Sequence, residues 1–185
     1  MKKSIALFLT LLTLQATSTI TGKQVADRLA DIERQSHRKF KIFLKSQIFT
    51  QDEINSFFSY KIKDTSSSSS FEVKEARVII NKRDFKLYMV VMSNKILPLF
   101  DLEAASMKIL PLSLTFGVEQ RKGKYRIKIT DFRIGKSVAS IKLALTILRD
   151  LKKSTGFNFV PDTWEKFPFG IKKFKQSKGK VEVFY

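Results

Sequence analysis

Few residues in this chain are placed to do chemistry. His37 is the single histidine and stands among Arg34, Arg38 and Lys39. That is the setting of a solvated surface group, not of a general base. Cysteine is absent, which removes a thiol nucleophile, a disulfide, a thiolate metal site and a lipid-anchoring cysteine. The closest carboxylates, Asp52 and Glu53, follow Thr50. Threonine with glutamate three residues later is a capping box, so these acids belong to a helix start. The serines at 66–70 form a polar, low-complexity run that reads as a flexible loop with no nucleophile. The seven glycines are scattered at turns and build no phosphate-cradling loop. No metal-ligand spacing is present. The expectation is a protein that is not an enzyme, with no catalytic residue, no cofactor and no metal.

Two binding features remain. The first is apolar. Phe85, Leu87, Met89 and Val91 alternate along one segment, and Leu110, Leu112, Leu114, Phe116 and Val118 along another. Strands with this period present one unbroken apolar face each. They need a cover, and the aliphatic stripe after Ser137 can supply it. If the cover is incomplete, Phe85, Leu87, Leu110, Leu112, Leu114, Phe116, Ile141 and Leu145 line a groove for an acyl chain or other amphiphile. The alternative is a closed core.

The second feature is charge. Thirty-five Lys and Arg against 17 Asp and Glu give +18. The excess suits anionic partners. It crowds near the C-terminus, where Lys172, Lys173, Lys175, Lys178 and Lys180 interleave with aromatic residues. Such a cluster suits an anionic lipid or membrane surface, which ranks above nucleic acid here. A partner protein is not specified by the sequence. A genome rich in lysine codons accounts for the same excess without a binding role.

The elements that position these residues follow from periodicity. Val25, Leu29 and Ile32 predict an amphipathic helix over 23–35, and Thr50 starts a second through about Tyr60. Residues 38–48 extend the first helix or form a short strand. Residues 71–81 and 84–92 are strands joined by a turn at Lys82, with an irregular apolar connection over 93–101. Residues 104–120 and 125–134 are strands joined by Arg121-Lys-Gly-Lys124, with glycine at the bend. A helix from Ser137 to Lys153 carries Val138, Ile141, Leu145 and Leu148. Residues 161–168 predict a short helical turn, and residues 169–174 and 180–185 a closing hairpin. Helices, then strands, then a helix and a hairpin argue an α+β fold. The predicted architecture is a curved antiparallel sheet meander packed on a long helix, with N-terminal helices and a C-terminal hairpin.

The first eighteen residues have another character. Lys2 and Lys3 precede an apolar run from Ile5 to Leu14, then the small residues Ala16 and Ser18. This is the layout of a secretory signal peptide, and the run falls short of the roughly 20 residues that span a bilayer. Residues 1–18 are read as the leader and 19–185 as a single domain that is exported, periplasmic or secreted.

Several segments carry a resemblance. Phe49-Thr-Gln-Asp-Glu-Ile-Asn-Ser-Phe-Phe58 resembles the F-T-E-x-E-L-N-x-Y-L helix start of small secreted bacterial envelope proteins of uncharacterised function. Lys128 to Lys136 resembles their strand ending in glycine and a basic residue, before an aliphatic helix. Phe167-Pro-Phe-Gly-Ile-Lys-Lys-Phe174 and Gly179-Lys-Val-Glu-Val183 resemble their closing hairpin. Phe57-Phe58 departs from the usual Tyr-Leu, and the serine run is extra. The resemblance spans most of 48–185. It implies a layout like the tubular lipid-binding folds, in which a curved antiparallel sheet wraps a long helix, and it implies a cell-envelope role.

Overall fold

The computed structural model of the chain describes residues 21–37, 44–64, 71–93, 109–155 and 161–185. The expected leader, the serine loop at 66–70 and the connection at 94–101 lie outside the described residues.

Helix α1 spans Gly22–Ser36. Thr21 caps it: its hydroxyl accepts the Gln24 N–H, and the Gln24 side chain accepts the Thr21 N–H at 2.7 Å. Strand β1 is Ser46–Thr50, and helix α2, Gln51–Asp64, follows without a break. The expected capping box is present, with Thr50 N–H donating to Glu53 at 2.7 Å and Glu53 N–H to the Thr50 hydroxyl at 3.3 Å. The helices cross at Gly22. A Cβ there would overlap the Ser56 carbonyl and Tyr60 Cβ, so only glycine permits this approach.

Strands β2 (Phe71–Ile80), β3 (Phe85–Ser93), β4 (Ile109–Arg121) and β5 (Lys124–Ile134) form an antiparallel meander. Lys122 and Gly123 both have positive φ, 48° and 73°, as the tight β4–β5 turn requires. Two bulges curl the sheet, one at Lys74 in β2 and one at Thr130 in β5. The second shifts the inward set of β5 from Ile127 and Ile129 to Phe132, all three buried. The fold is mixed α and β, built on a curled antiparallel sheet with three helices among the described residues.

Two expectations are corrected here. The helix expected from Ser137 begins at Ile141. Ser137 and Val138 pair with β5 as the short strand β6, and α3 runs Ile141–Thr155. Strand pairing overrides the helical spacing of Val138, which is 70 % exposed. At 15 residues α3 is no longer than α1. The segment from Pro161 is not a helical turn either. Pro161 bridges Ile127, and Glu165–Lys166, here β7, pairs with Lys124–Tyr125. A single 3-10 turn follows at Pro168–Gly170. The closing hairpin is β8 (Lys173–Ser177) and β9 (Lys180–Phe184), and β9 also pairs with β1 in a separate three-stranded sheet.

The inward face of the meander is shared by two apolar clusters. Met89, Val91, Leu110, Leu112, Leu114 and Phe132 are buried with Ala144, Ile147 and Leu148 of α3. Ile80, Phe85, Val181 and Val183 are buried with Val25, Ile32 and Phe49. Phe116 packs against both clusters.

Candidate functional site

The expected apolar lining residues fall into this core. Leu110, Leu112 and Leu114 are at most 3 % exposed, with Leu87 and Leu145 half-buried at the edge of the same cluster. Phe85 stacks on Phe116 at 5.3 Å between ring centroids and meets Phe174 edge-on at 6.3 Å. Ile141 does not join them. It is 43 % exposed on the first turn of α3, because the buried stripe of that helix is centred on Ala144, Ile147 and Leu148. The expected groove between sheet and helix is thus occupied by side chains of the helix itself.

Open space lies elsewhere. A cleft of about 1050 Å³ runs between α2 and the strands β2, β3 and β4. Its helical wall includes Asp52, Asn55, Ser56 and Ser59, residues spaced to share one face of a helix, together with Tyr60 and Ile62. Ile54, Phe57 and Phe58 pack the opposite side of α2 into the second apolar cluster. The sheet contributes Ala76, Met89 and Leu112 from the inward face, with Lys74 and Arg77 beside them. Lys74 is the bulged residue and pairs with Glu72. The Arg77 guanidinium lies 5.2 Å from the Tyr88 ring centroid. Of the eight expected lining residues, Leu112 is on the cleft wall.

Side-chain amides fix the cleft walls to each other. Asn55 donates to Val78 O at 3.1 Å and accepts the Val78 N–H at 2.7 Å. Gln51 accepts the Ile80 N–H at 2.8 Å. Gln120 does the same for β8, accepting the Phe174 N–H at 2.8 Å and donating to its carbonyl at 2.9 Å. Each amide imitates the missing neighbour of an edge strand. Nothing in the periodicity of the sequence announces these pairings.

Arg28 of α1 pairs with Glu53 and donates to Ile48 O at 2.7 Å. Burial pushes the Glu53 carboxyl up. The Thr50 N–H and the Arg28 guanidinium more than offset this and hold it below the ordinary value. This pair anchors α1 to the start of α2, and neither residue lines the cleft.

The C-terminal lysines form a second candidate surface. Lys172, Lys173, Lys175, Lys178 and Lys180 are all exposed, whereas Phe169, Ile171 and Phe174 pack inward against the second cluster. The ammonium groups of Lys173 and Lys175 lie 4.8 and 5.4 Å from the Phe184 ring centroid. The hairpin is docked on the β2–β3 turn. Gln176 donates to Asn81 O and Asp84 O, each at 2.8 Å, and Gly179 N–H to Ile80 O at 2.9 Å.

His37 ends α1, exposed. Among the described residues no group of three His, Cys, Asp or Glu converges as a metal site would require, and no helix is long and apolar enough to cross a membrane. What the fold and the site define is a class: a mixed α/β protein with a curled antiparallel sheet and a partly apolar cleft at its edge. Comparison with protein-family models, curated proteins and solved structures finds no match to this chain.

Proposed function

We propose that the chain is an exported, non-enzymatic envelope protein that binds a lipid or other amphiphile and docks on anionic surfaces. The observation that carries this reading is the cleft between α2 and β2–β4. Its volume suits a small amphiphile. Ala76, Met89 and Leu112 offer apolar contact, and the hydroxyls of Ser56 and Ser59 with the cations Lys74 and Arg77 suit a headgroup. Asp52 and Glu75 are also on the wall, so the cleft itself is balanced in charge. The affinity for anionic surfaces is assigned to the hairpin lysines instead. The leader-like residues 1–18 support export, and the resemblance over 48–185 supports kinship with the small secreted envelope proteins. On the same reading the meander curls around α3 in the manner of the tubular lipid-binding layout.

The test is purification without detergent, followed by mass spectrometry of bound lipid and titration with a fluorescent fatty acid. Bound lipid or saturable fatty-acid binding is expected. Ser59→Phe, which narrows the cleft from an exposed position, should reduce it. A protein that carries no lipid and binds no fatty acid overturns the reading.

A second reading rests on the exposed lysine hairpin. It makes the chain a basic interaction protein with a closed core that docks on an acidic protein, surface polymer or nucleic acid. Salt separates the two. Binding through several phosphate contacts weakens steeply between about 50 and 200 mM salt, whereas binding in an apolar cleft does not.

A further inference from the structure

The far end of the meander carries an arrangement that neither reading uses. The tight β4–β5 turn places Arg121 directly opposite Lys124, and the pairing of β5 with β7 places Lys124 directly opposite Lys166. Three strands therefore present three cations in one row. Like charges directly opposite one another across strands are destabilising. Among the described residues none of the three is ion-paired, and neither is Lys122 at the turn.

Two carboxylates stand near the row and neither pairs with it: Glu165 precedes Lys166 in β7 and lies opposite Tyr125, and Glu119 is already taken. Glu119 is engaged by Arg126, whose Nε lies 3.0 Å away, and by Lys128 Nζ at 3.2 Å. The Arg126 guanidinium is thereby held 4.9 Å from the centroid of the Trp164 ring. Trp164 is half-buried, just before β7 and two residues before Lys166. A pocket of about 310 Å³ opens there, lined by Arg121, Lys122, Lys124 and Trp164. Arg121, Lys122 and Lys124 with one aromatic wall, and no acid among the lining residues, match an anion that is compact and multiply charged; Lys166 stands at the end of the row, outside the lining. A phosphoryl group has that character. It accepts several charge-assisted hydrogen bonds at once.

We propose that the row Arg121, Lys124 and Lys166, with Lys122 and Trp164, is a binding site for a phosphoryl group, carried by a lipid headgroup or by a soluble phosphate ester. The site is at the β4–β5 turn and does not depend on the cleft beside α2. Its bound anion would also remove the repulsion along the row.

Trp164 is the only tryptophan of the chain, so its emission reports on this pocket alone. The full chain is titrated with pyrophosphate against sodium chloride of equal ionic strength. In a second arm it meets vesicles of phosphatidylcholine with or without phosphatidic acid. A saturable change of emission is expected with pyrophosphate, with phosphatidic acid vesicles, or with both. Response to vesicles alone assigns the headgroup, and an equal or stronger response to pyrophosphate assigns a soluble ester. Replacing Arg121 and Lys124 by Gln removes two charge-assisted contacts and should weaken the response at least about tenfold. With no ligand, the same variant should melt no lower than the parent, because repulsion is relieved. No saturable change in either arm, or an equal response from parent and variant, overturns the proposal.

Discussion

Asn55 takes up both backbone polar groups of Val78, accepting the N–H at 2.7 Å and donating to the carbonyl at 3.1 Å. A single side chain thus covers the outer edge of β2 at Val78 and ties α2 to the sheet, as Gln51 does at Ile80. Asn55→Ala should cost about 2 kcal/mol, roughly 1 for each bond. Asn55→Asp should cost nearly as much, because a carboxylate keeps the N–H bond and faces the Val78 carbonyl with a lone pair. Urea denaturation of the three proteins checks this. Parent-like midpoints for both variants would mean that the Asn55 bonds are not what holds α2 on β2.

The cap at Thr50 makes a second prediction. Its hydroxyl accepts the Glu53 N–H, and Glu53 accepts the Thr50 N–H in return. Thr50→Ala should lower stability by about 1 kcal/mol. A thermal melt indistinguishable from the parent would contradict it.

Glu53 also sets a dependence on pH. Burial opposes its ionisation, but the Thr50 N–H and Arg28 prevail, and the folded-state value lies below the ordinary one. A carboxylate depressed by folding contributes stability that is fully present above its unfolded value. That contribution is lost as pH falls through the lower, folded value. The parent should therefore lose stability on acidification beyond the ordinary carboxylate range. Glu53→Gln should be less stable at neutral pH and flatter below it. Denaturation midpoints for both proteins from pH 7 downward provide the comparison, and parallel curves would exclude Glu53 as the source.

The crossing of α1 and α2 is set by Gly22. Its added methyl in Gly22→Ala would overlap the Ser56 carbonyl and the Tyr60 Cβ. The helices must separate, at a cost of about 1–3 kcal/mol. Differential scanning calorimetry should show the drop. An unchanged melt would show that the helices slide apart freely.

Charge reversal at Lys172, Lys173 and Lys175 tests the hairpin surface. All three are exposed, so folding should be nearly intact. Each basic residue near an anionic membrane contributes about 1 kcal/mol of attraction. Replacing the three by Glu should weaken sedimentation with phosphatidylserine vesicles at least tenfold, since that change needs only about 1.4 kcal/mol. Neutral vesicles should show no difference. Equal sedimentation with anionic vesicles would reduce the cluster to a solubilising face.

Local chemistry was the readable part of this chain. The Thr50 cap, the amphipathic spacing of Val25, Leu29 and Ile32, the glycine turn at 123 and the alternation along β3 and β4 each depend on near neighbours. Each appears as expected. What was not readable depends on partners distant in sequence. Val138 has helical spacing with Ile141, but its backbone pairs with Arg133. The Thr130 bulge moves Phe132 inward; the apolar positions do change phase, from Ile127 and Ile129 to Phe132 and Ile134, but the spacing alone does not say that the partner strand runs on unbroken. Trp164 and Lys166 reach Lys124 through a pairing across some forty residues, so the row of cations has no counterpart in local sequence. The cleft was hidden for the same reason: its two walls meet through Asn55 and Val78, whose pairing no spacing rule encodes.

Phe116 joins the two halves of the core. It stacks on Phe85 and packs against both apolar clusters. One cluster is completed by α3 and the other by α1, α2 and the closing hairpin. Cooperativity between the two halves therefore passes through the shared sheet and this one ring. Emptying that position would leave each half its own core while thinning the coupling between them. A single all-or-none transition would then divide into two, with the α3 half and the hairpin half melting as separate units.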